Sequence, residues 1–245
     1  MARSFNGTTD FITTSFLATT TPVSIHCWIY LLGAGLNQSM YGVKNDVVNG
    51  GLQFRVSNTN NLQLLVSNVA VLVSGGTALT NNPGPWYATA GSYDGTTAKV
   101  FLNGIQDGSA AASNSLAAAG DTLAYIGCAS AGGGAASQFI HGSMADLAIW
   151  SAVLSPVEIA SLAAGVRPSS VRPGSLVAWW PLDGYQAPAI DLSRGKSLGT
   201  LSGSILAIGP PQFSAAPIFP GIAMPQSFKT PPPPPVFVLM PQIVT

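Results

Sequence analysis

From Phe5 to about Ile208, apolar and polar residues alternate in short runs, and each run is cut off by Gly, Asn, Asp or Pro. Alternation with a period of two sends successive side chains to opposite sides of an extended chain, so these runs cannot make the apolar stripe of a helix. Many short runs of this kind predict an all-β fold, two antiparallel sheets packed as a sandwich. In the run at 24–30, Ile25, Cys27 and Ile29 share one face while His26, Trp28 and Tyr30 share the other, so both faces of that strand are expected to be covered. The runs at 52–56 and 62–66 flank a polar Ser-Asn-Thr-Asn-Asn turn and predict a hairpin. A second hairpin is predicted from 86–93 and 98–102 around Asp94-Gly95, and Asn103-Gly104 supplies the next reversal. The same parity places Ile25, Cys27, Val100, Leu102, Leu147 and Ile149 between the sheets.

One segment departs from the pattern. Ser155-Pro-Val-Glu158 offers an N-cap, a proline at the first helical position and a capping-box acid, which predicts a helix of two to three turns. Its apolar face is Ile159, Leu162 and Ala163, and Gly165 ends it. Past Gly209 prolines crowd the chain, ending in five in a row from Pro231 to Pro235, which have no backbone donors for a sheet and predict polyproline II. The chain therefore divides into a sandwich at 1–208 and an extended proline-rich arm at 209–245. The arm ends in Val236, Phe237, Val238, Leu239 and Met240, apolar and β-prone residues suited to docking on a partner.

Charge excludes several functions. Only 7% of residues are charged, against roughly 25% in ordinary soluble domains, and the formal net charge is zero. A nucleic-acid partner of the usual basic kind is therefore excluded, because the positive surface that would steer it is missing. No run of 18 apolar residues occurs, so no membrane span is expected. A neutral, charge-poor surface favours association, unless Ser, Thr, Asn and Gln solvate it. Cys27 and Cys128 lie far apart with no CxxC, and are expected to be buried thiols and not a bridge. The N-terminal residues show no apolar leader or cleavage site, so no secretory signal peptide is expected.

Six ordered signatures resemble the laminin-G-like, concanavalin A-like lectin and glucanase jelly roll. They are Ser4-Phe-Asn-Gly-Thr-Thr-Asp-Phe-Ile12, Val23-Ser-Ile-His-Cys-Trp28, Pro85-Trp-Tyr with Tyr93-Asp-Gly95 and Phe101-Leu-Asn-Gly104, Ala124-Tyr-Ile-Gly127, Phe139 through Trp150, and Leu154-Ser-Pro-Val-Glu-Ile159. The resemblance implies a jelly-roll sandwich with one short helix. Leu176-Val-Ala-Trp-Trp-Pro-Leu-Asp183 resembles the opening of a further unit of this kind; too little chain remains, so it is expected to add late strands to the one sandwich. In layout, with no leader and a proline-rich end, the chain is similar to structural proteins of tailed bacteriophages.

Glucanases of this fold use paired carboxylates on a Glu-x-Asp-x-x-Glu strand. This chain has one glutamate, Glu158, in the capping position, and no two acids at i, i+2 spacing. His26 and His141 are the two histidines; His26 and Cys27 point to opposite faces and cannot share a metal, and no Gly-x-Ser-x-Gly occurs. No enzyme and no cofactor are expected. The resemblance leaves calcium as the alternative, with Asp10, Asp94, Asp121 and Asp146 as the candidate ligands. Trp28, Trp86 and Trp150 sit in core positions of the family, whereas Trp179 and Trp180 point to opposite faces, so one can be exposed; they are the candidate carbohydrate-binding residues. The expected function is a non-enzymatic virion structural protein, made in the host cytoplasm. It would decorate a capsid or form part of a tail or fibre, meet neighbouring copies of itself and a capsid or tail protein, and be anchored through the arm. The alternative is a carbohydrate-binding module contacting cell-surface glycans.

Overall fold

A computed structural model of the chain describes residues 2–43, 51–66, 70–81, 84–117, 122–130, 135–183, 187–203 and 205–207. The expected arm at 209–245, with Pro231, Pro235 and residues 236–240, lies outside the described residues, as does Asp121.

In chain order the strands are β1 (Ala2–Asn6), β2 (Phe11–Thr14), β3 (Val23–Leu31), β4 (Gln38–Val43), β5 (Leu52–Val56) and β6 (Asn61–Val66). They continue with β7 (Ala70–Ala78), β8 (Trp86–Tyr93), β9 (Thr97–Leu102), β10 (Ile105–Ala111), β11 (Ala124–Ile126) and β12 (Ala129–Ser130). After β13 (Ala136–Ser137) and β14 (His141–Trp150) comes the helix α1 (Pro156–Ala163), then β15 (Leu176–Trp180), β16 (Gly199–Ser202) and β17 (Ile205–Ala207). An eight-stranded sheet runs β10-β9-β8-β3-β14-β1-β17, with β15 also on β14, and a seven-stranded sheet runs β16-β2-β11-β4-β5-β6-β7. All pairings within both are antiparallel. Both sheets draw strands from the two ends of the described chain, so the late strands join the one sandwich: β16 pairs with β2, and β17 with β1.

Both expected hairpins form, β5–β6 and β8–β9, and Asn103-Gly104 turns β9 into β10. Ile25, Cys27, Val100, Leu147 and Ile149 are buried in the core between the sheets. Leu102 is a correction. It ends β9 and is only half-buried against that core. Both cysteines are buried and free, and burial raises the Cys27 thiol to about 12. Helix α1 starts with the capping box, Ser155 Oγ accepting from Glu158 N at 3.3 Å and Glu158 Oε2 accepting from Ser155 N at 2.7 Å. It ends with Gly165 at φ 85°, whose N–H bonds Leu162 O while Val166 N bonds Ser161 O. Among the described residues no helix is long and apolar enough to cross a membrane.

Candidate functional site

The tryptophan pair is where alternation and tertiary packing part company. Trp179 and Trp180 do face opposite sides of β15, but both are buried, at 6% and 0% exposure, so neither is open to a sugar. Trp180 enters the core between the sheets and donates from Nε1 to Ser197 O at 3.0 Å. Trp179 lies on the other side of the sheet, in a second apolar cluster with Trp150, Ile159, Leu162 and Val171. Its Nε1 donates to Asp146 Oδ1 at 3.1 Å. Trp28 and Trp150 are buried as expected, whereas Trp86 is half-buried and meets Tyr30 at 5.7 Å, ring centre to ring centre.

The candidate calcium ligands are dispersed, and each described one has a structural role. Asp94 Oδ1 accepts from Thr96 N, Thr96 Oγ1 and Thr97 N at 2.7–2.8 Å, and these bonds hold its carboxyl below the usual range. Asp10 Oδ2 accepts from Asn6 N at 3.1 Å within the β1–β2 turn. Asp146 sits in a bulge of β14 with φ 50°, and burial pushes its carboxyl up against the opposing Trp179 hydrogen bond. Among the described residues no three His, Cys, Asp or Glu side chains come together. Removing calcium with EDTA is accordingly expected to leave the melting temperature unchanged. A fall of more than about 5 °C, which is roughly 1–2 kcal/mol for a domain of this size, would restore the ion. Glu158 is engaged in the helix cap and in a salt bridge to Arg172 Nε at 2.6 Å.

The side chains that do converge lie on the outer face of the seven-stranded sheet. Along β5 and β6, Leu52, Phe54, Val56, Leu62 and Leu64 point into the core, which turns Gln53, Arg55 and Gln63 outward. Register sets Ser39 opposite Arg55, and Arg55 opposite Gln63, which in turn is opposite Ser74. The result is a chain of polar contacts across four strands. Arg55 donates from Nε to Gln63 Oε1 at 3.0 Å and from Nη1 to Gln138 Oε1 at 3.3 Å. Gln53 Nε2 donates to the same Gln138 oxygen at 3.0 Å, and Gln63 Nε2 to Ser74 Oγ at 3.4 Å. Partial burial lowers the Arg55 pKa; a guanidinium in a protein remains a cation.

Gln138 reaches this face because the short pair β12–β13 folds over β4. Its backbone is left-handed, at φ 51°, and its O accepts from Ser39 N at 2.8 Å. Such a conformation in a non-glycine residue costs on the order of 1–3 kcal/mol and is kept where the surroundings demand it. Gly42 of β4 admits the close approach, since a Cβ there would come within 2.9 Å of Ala129 Cβ. On the other flank, Tyr125 meets Phe11 edge-on at 5.3 Å, and Phe11 meets Phe139 at 6.2 Å. Phe11 and Phe139 are half-buried, so ring surface remains at the solvent boundary beside the amides. Sequence reasoning missed Gln53, Arg55, Gln63 and Gln138. The outward parity of the first three was readable, but nothing local marked Gln138.

The family model described as the concanavalin A-like lectin/glucanases superfamily, of laminin G type, matches residues 6–160. Among solved structures, the chain is similar to a putative carbohydrate binding protein from Bacteroides ovatus, at 19% identity and a TM-score of 0.66. That match covers 83% of this chain and 58% of the other, so the chain spans less than two thirds of that protein's length. It is also similar to the CBM40 of a Ruminococcus gnavus IT-sialidase, at 13% identity and a TM-score of 0.52, covering 66% of this chain and 98% of that one. A third is domain 4 of an extracellular GH43 arabinanase from Geobacillus stearothermophilus, solved with arabinotriose. Its identity is 17% and its TM-score 0.53, with 66% of this chain and 76% of that one covered. No curated protein sequence matches the chain.

Proposed function

The chain belongs to the concanavalin A-like lectin/glucanase superfamily, and from that premise we propose that it is a non-catalytic carbohydrate-binding module that reads an oligosaccharide on the outer face of its seven-stranded sheet. The observation that carries this reading is the row of half-buried Arg55, Gln63 and Gln138, with buried Gln53 bonded to Gln138, beside the half-buried rings of Phe11 and Phe139. Amides and a guanidinium supply the donors and acceptors that hydroxyl groups need, and a ring face suits the C–H face of a pyranose. The row is held in place before any ligand arrives, which lowers the entropy cost of binding. Neighbouring structures whose names refer to carbohydrate binding or to arabinotriose support the same reading. The absence of turnover is part of the proposal: the one glutamate is engaged in a helix cap, and no second carboxylate is at strand spacing from it.

The role in a virus particle was expected from the missing leader, the poverty of charge and the arm at 209–245, the last of which lies outside the described residues, and the comparisons favour the carbohydrate-binding alternative. A glycan array probed with the whole chain is expected to give saturable binding. Arg55→Ala and Gln63→Ala should each weaken that binding tenfold or more, about 1.4 kcal/mol, without a change of fold by circular dichroism. An empty array, or binding that survives both substitutions, would move the site off this face.

A further inference from the structure

A separate pocket of about 230 Å³ lies where β1 meets the segment after β15. Among the described residues it is lined by the charged Arg3 and Asp183 together with the apolar Pro181, Leu182, Ala189, Ile190 and Leu192. None of these belongs to the face described above. Arg3 is 5% exposed and lies on β1 opposite Met144, and Asp183 attracts its guanidinium across the pocket wall. Leu182 holds a left-handed backbone, φ 56°, at the same place.

The apolar wall is built in advance. Asp191, itself 3% exposed, turns its carboxylate inward, where Oδ1 accepts from Trp179 N at 2.9 Å and Ser193 N at 2.8 Å, and Oδ2 from Ser197 N at 2.9 Å. That anchor leaves its two neighbours facing out, Ile190 at 40% and Leu192 at 56% exposure. Ala189 is clamped by paired bonds to Gly199 at 2.7 and 2.8 Å. Exposed apolar side chains and two opposite charges lining one pocket describe a ligand with one apolar face and one edge of hydroxyls.

We propose that this pocket is a second carbohydrate subsite, for a single neutral pyranose such as the terminal unit of a glycan; it rests on the carbohydrate-binding reading above. The Asp183 carboxylate accepts from one ring hydroxyl and the Arg3 guanidinium donates to its neighbour, while the ring's C–H face covers Ile190 and Leu192. The two charges cancel, so the pocket complements an uncharged sugar and disfavours a sugar acid.

Saturation-transfer NMR on the whole chain with methyl glucoside, methyl galactoside, methyl mannoside and glucuronate tests this. At least one methyl glycoside is expected to receive saturation, with glucuronate bound more weakly. Leu192→Glu and Asp183→Asn, both at exposed positions, should each weaken the bound glycoside tenfold or more while keeping the wild-type melting temperature. Absence of transfer to all three glycosides, preference for glucuronate, or wild-type affinity in both variants would each overturn the proposal. An empty oligosaccharide array alongside methyl glycosides that bind at Leu192 and Asp183 removes the sheet-face reading and keeps this one. The reverse pattern removes the pocket alone.

Discussion

Replacing Trp180 with alanine is expected to destabilise the sandwich by about 3–5 kcal/mol. The indole is fully buried between the sheets, lies edge-on to Phe16 at 6.0 Å, and is tied to Ser197 O. Its loss removes apolar burial, opens a cavity and leaves the half-buried Ser197 carbonyl without its donor. For a domain of this size each kcal/mol moves the midpoint by about 2–4 °C, so the melting temperature should fall by roughly 6–20 °C. Thermal denaturation followed by circular dichroism measures it, with Leu102→Ala as the internal contrast. Leu102 is half-buried at a strand end, so that substitution should cost less than about 2 kcal/mol. Equal losses in the two variants would contradict the packing of β15 on β14.

The second large effect is a loss of stability in mild acid that traces to His26. Burial holds its imidazole at about 3, with a main-chain hydrogen bond to Thr89 opposing the shift only in part. In the unfolded chain the same group titrates near 6.5. Between those two values the unfolded chain binds the extra proton, so stability rises with pH. It is complete above about 6.5 and declines as pH falls toward 3. The slope approaches about 1.4 kcal/mol per pH unit, which gives a loss of about 1–2 kcal/mol between pH 6.5 and 5. Asp94, with its lowered pKa, adds its own loss only at lower pH, from the ordinary carboxylate range downward. Asp146, raised by burial, works in the other direction, since protonation relieves its burial penalty. Urea unfolding at pH 7, 6 and 5 is the measurement, and His26→Gln should flatten the curve in that window. An unchanged slope in the variant would assign the acid sensitivity elsewhere.

How much of this was legible depended on sequence distance. The β5–β6 and β8–β9 hairpins, the turn at Asn103-Gly104 and the cap at Ser155 are each specified within a few residues, by turn chemistry or by one side chain reaching one amide. The parity of β3, which covers both of its faces, was equally local. Leu102 and Trp86 departed from expectation because parity gives a direction, while depth depends on where a strand ends within its sheet.

The tryptophan pair shows the limit most directly. Alternation sent Trp179 and Trp180 to opposite faces, and they are there. Whether a face meets water depended on α1 and Val171 on one side and the sandwich core on the other. The candidate site follows the same division. The parity of Gln53, Arg55 and Gln63 was contained in their alternating runs. Gln138 joins them across 85 and 83 positions of chain from Gln53 and Arg55, through a short strand pair whose path no nearby residue dictates. The sequence by itself determined the class of fold, the faces of its strands and the poverty of charge, because these follow from local backbone geometry and from composition. Which faces are covered, and which distant polar groups share one surface, was decided only by the packing of the two sheets, because burial is a property of everything that comes to lie against a residue.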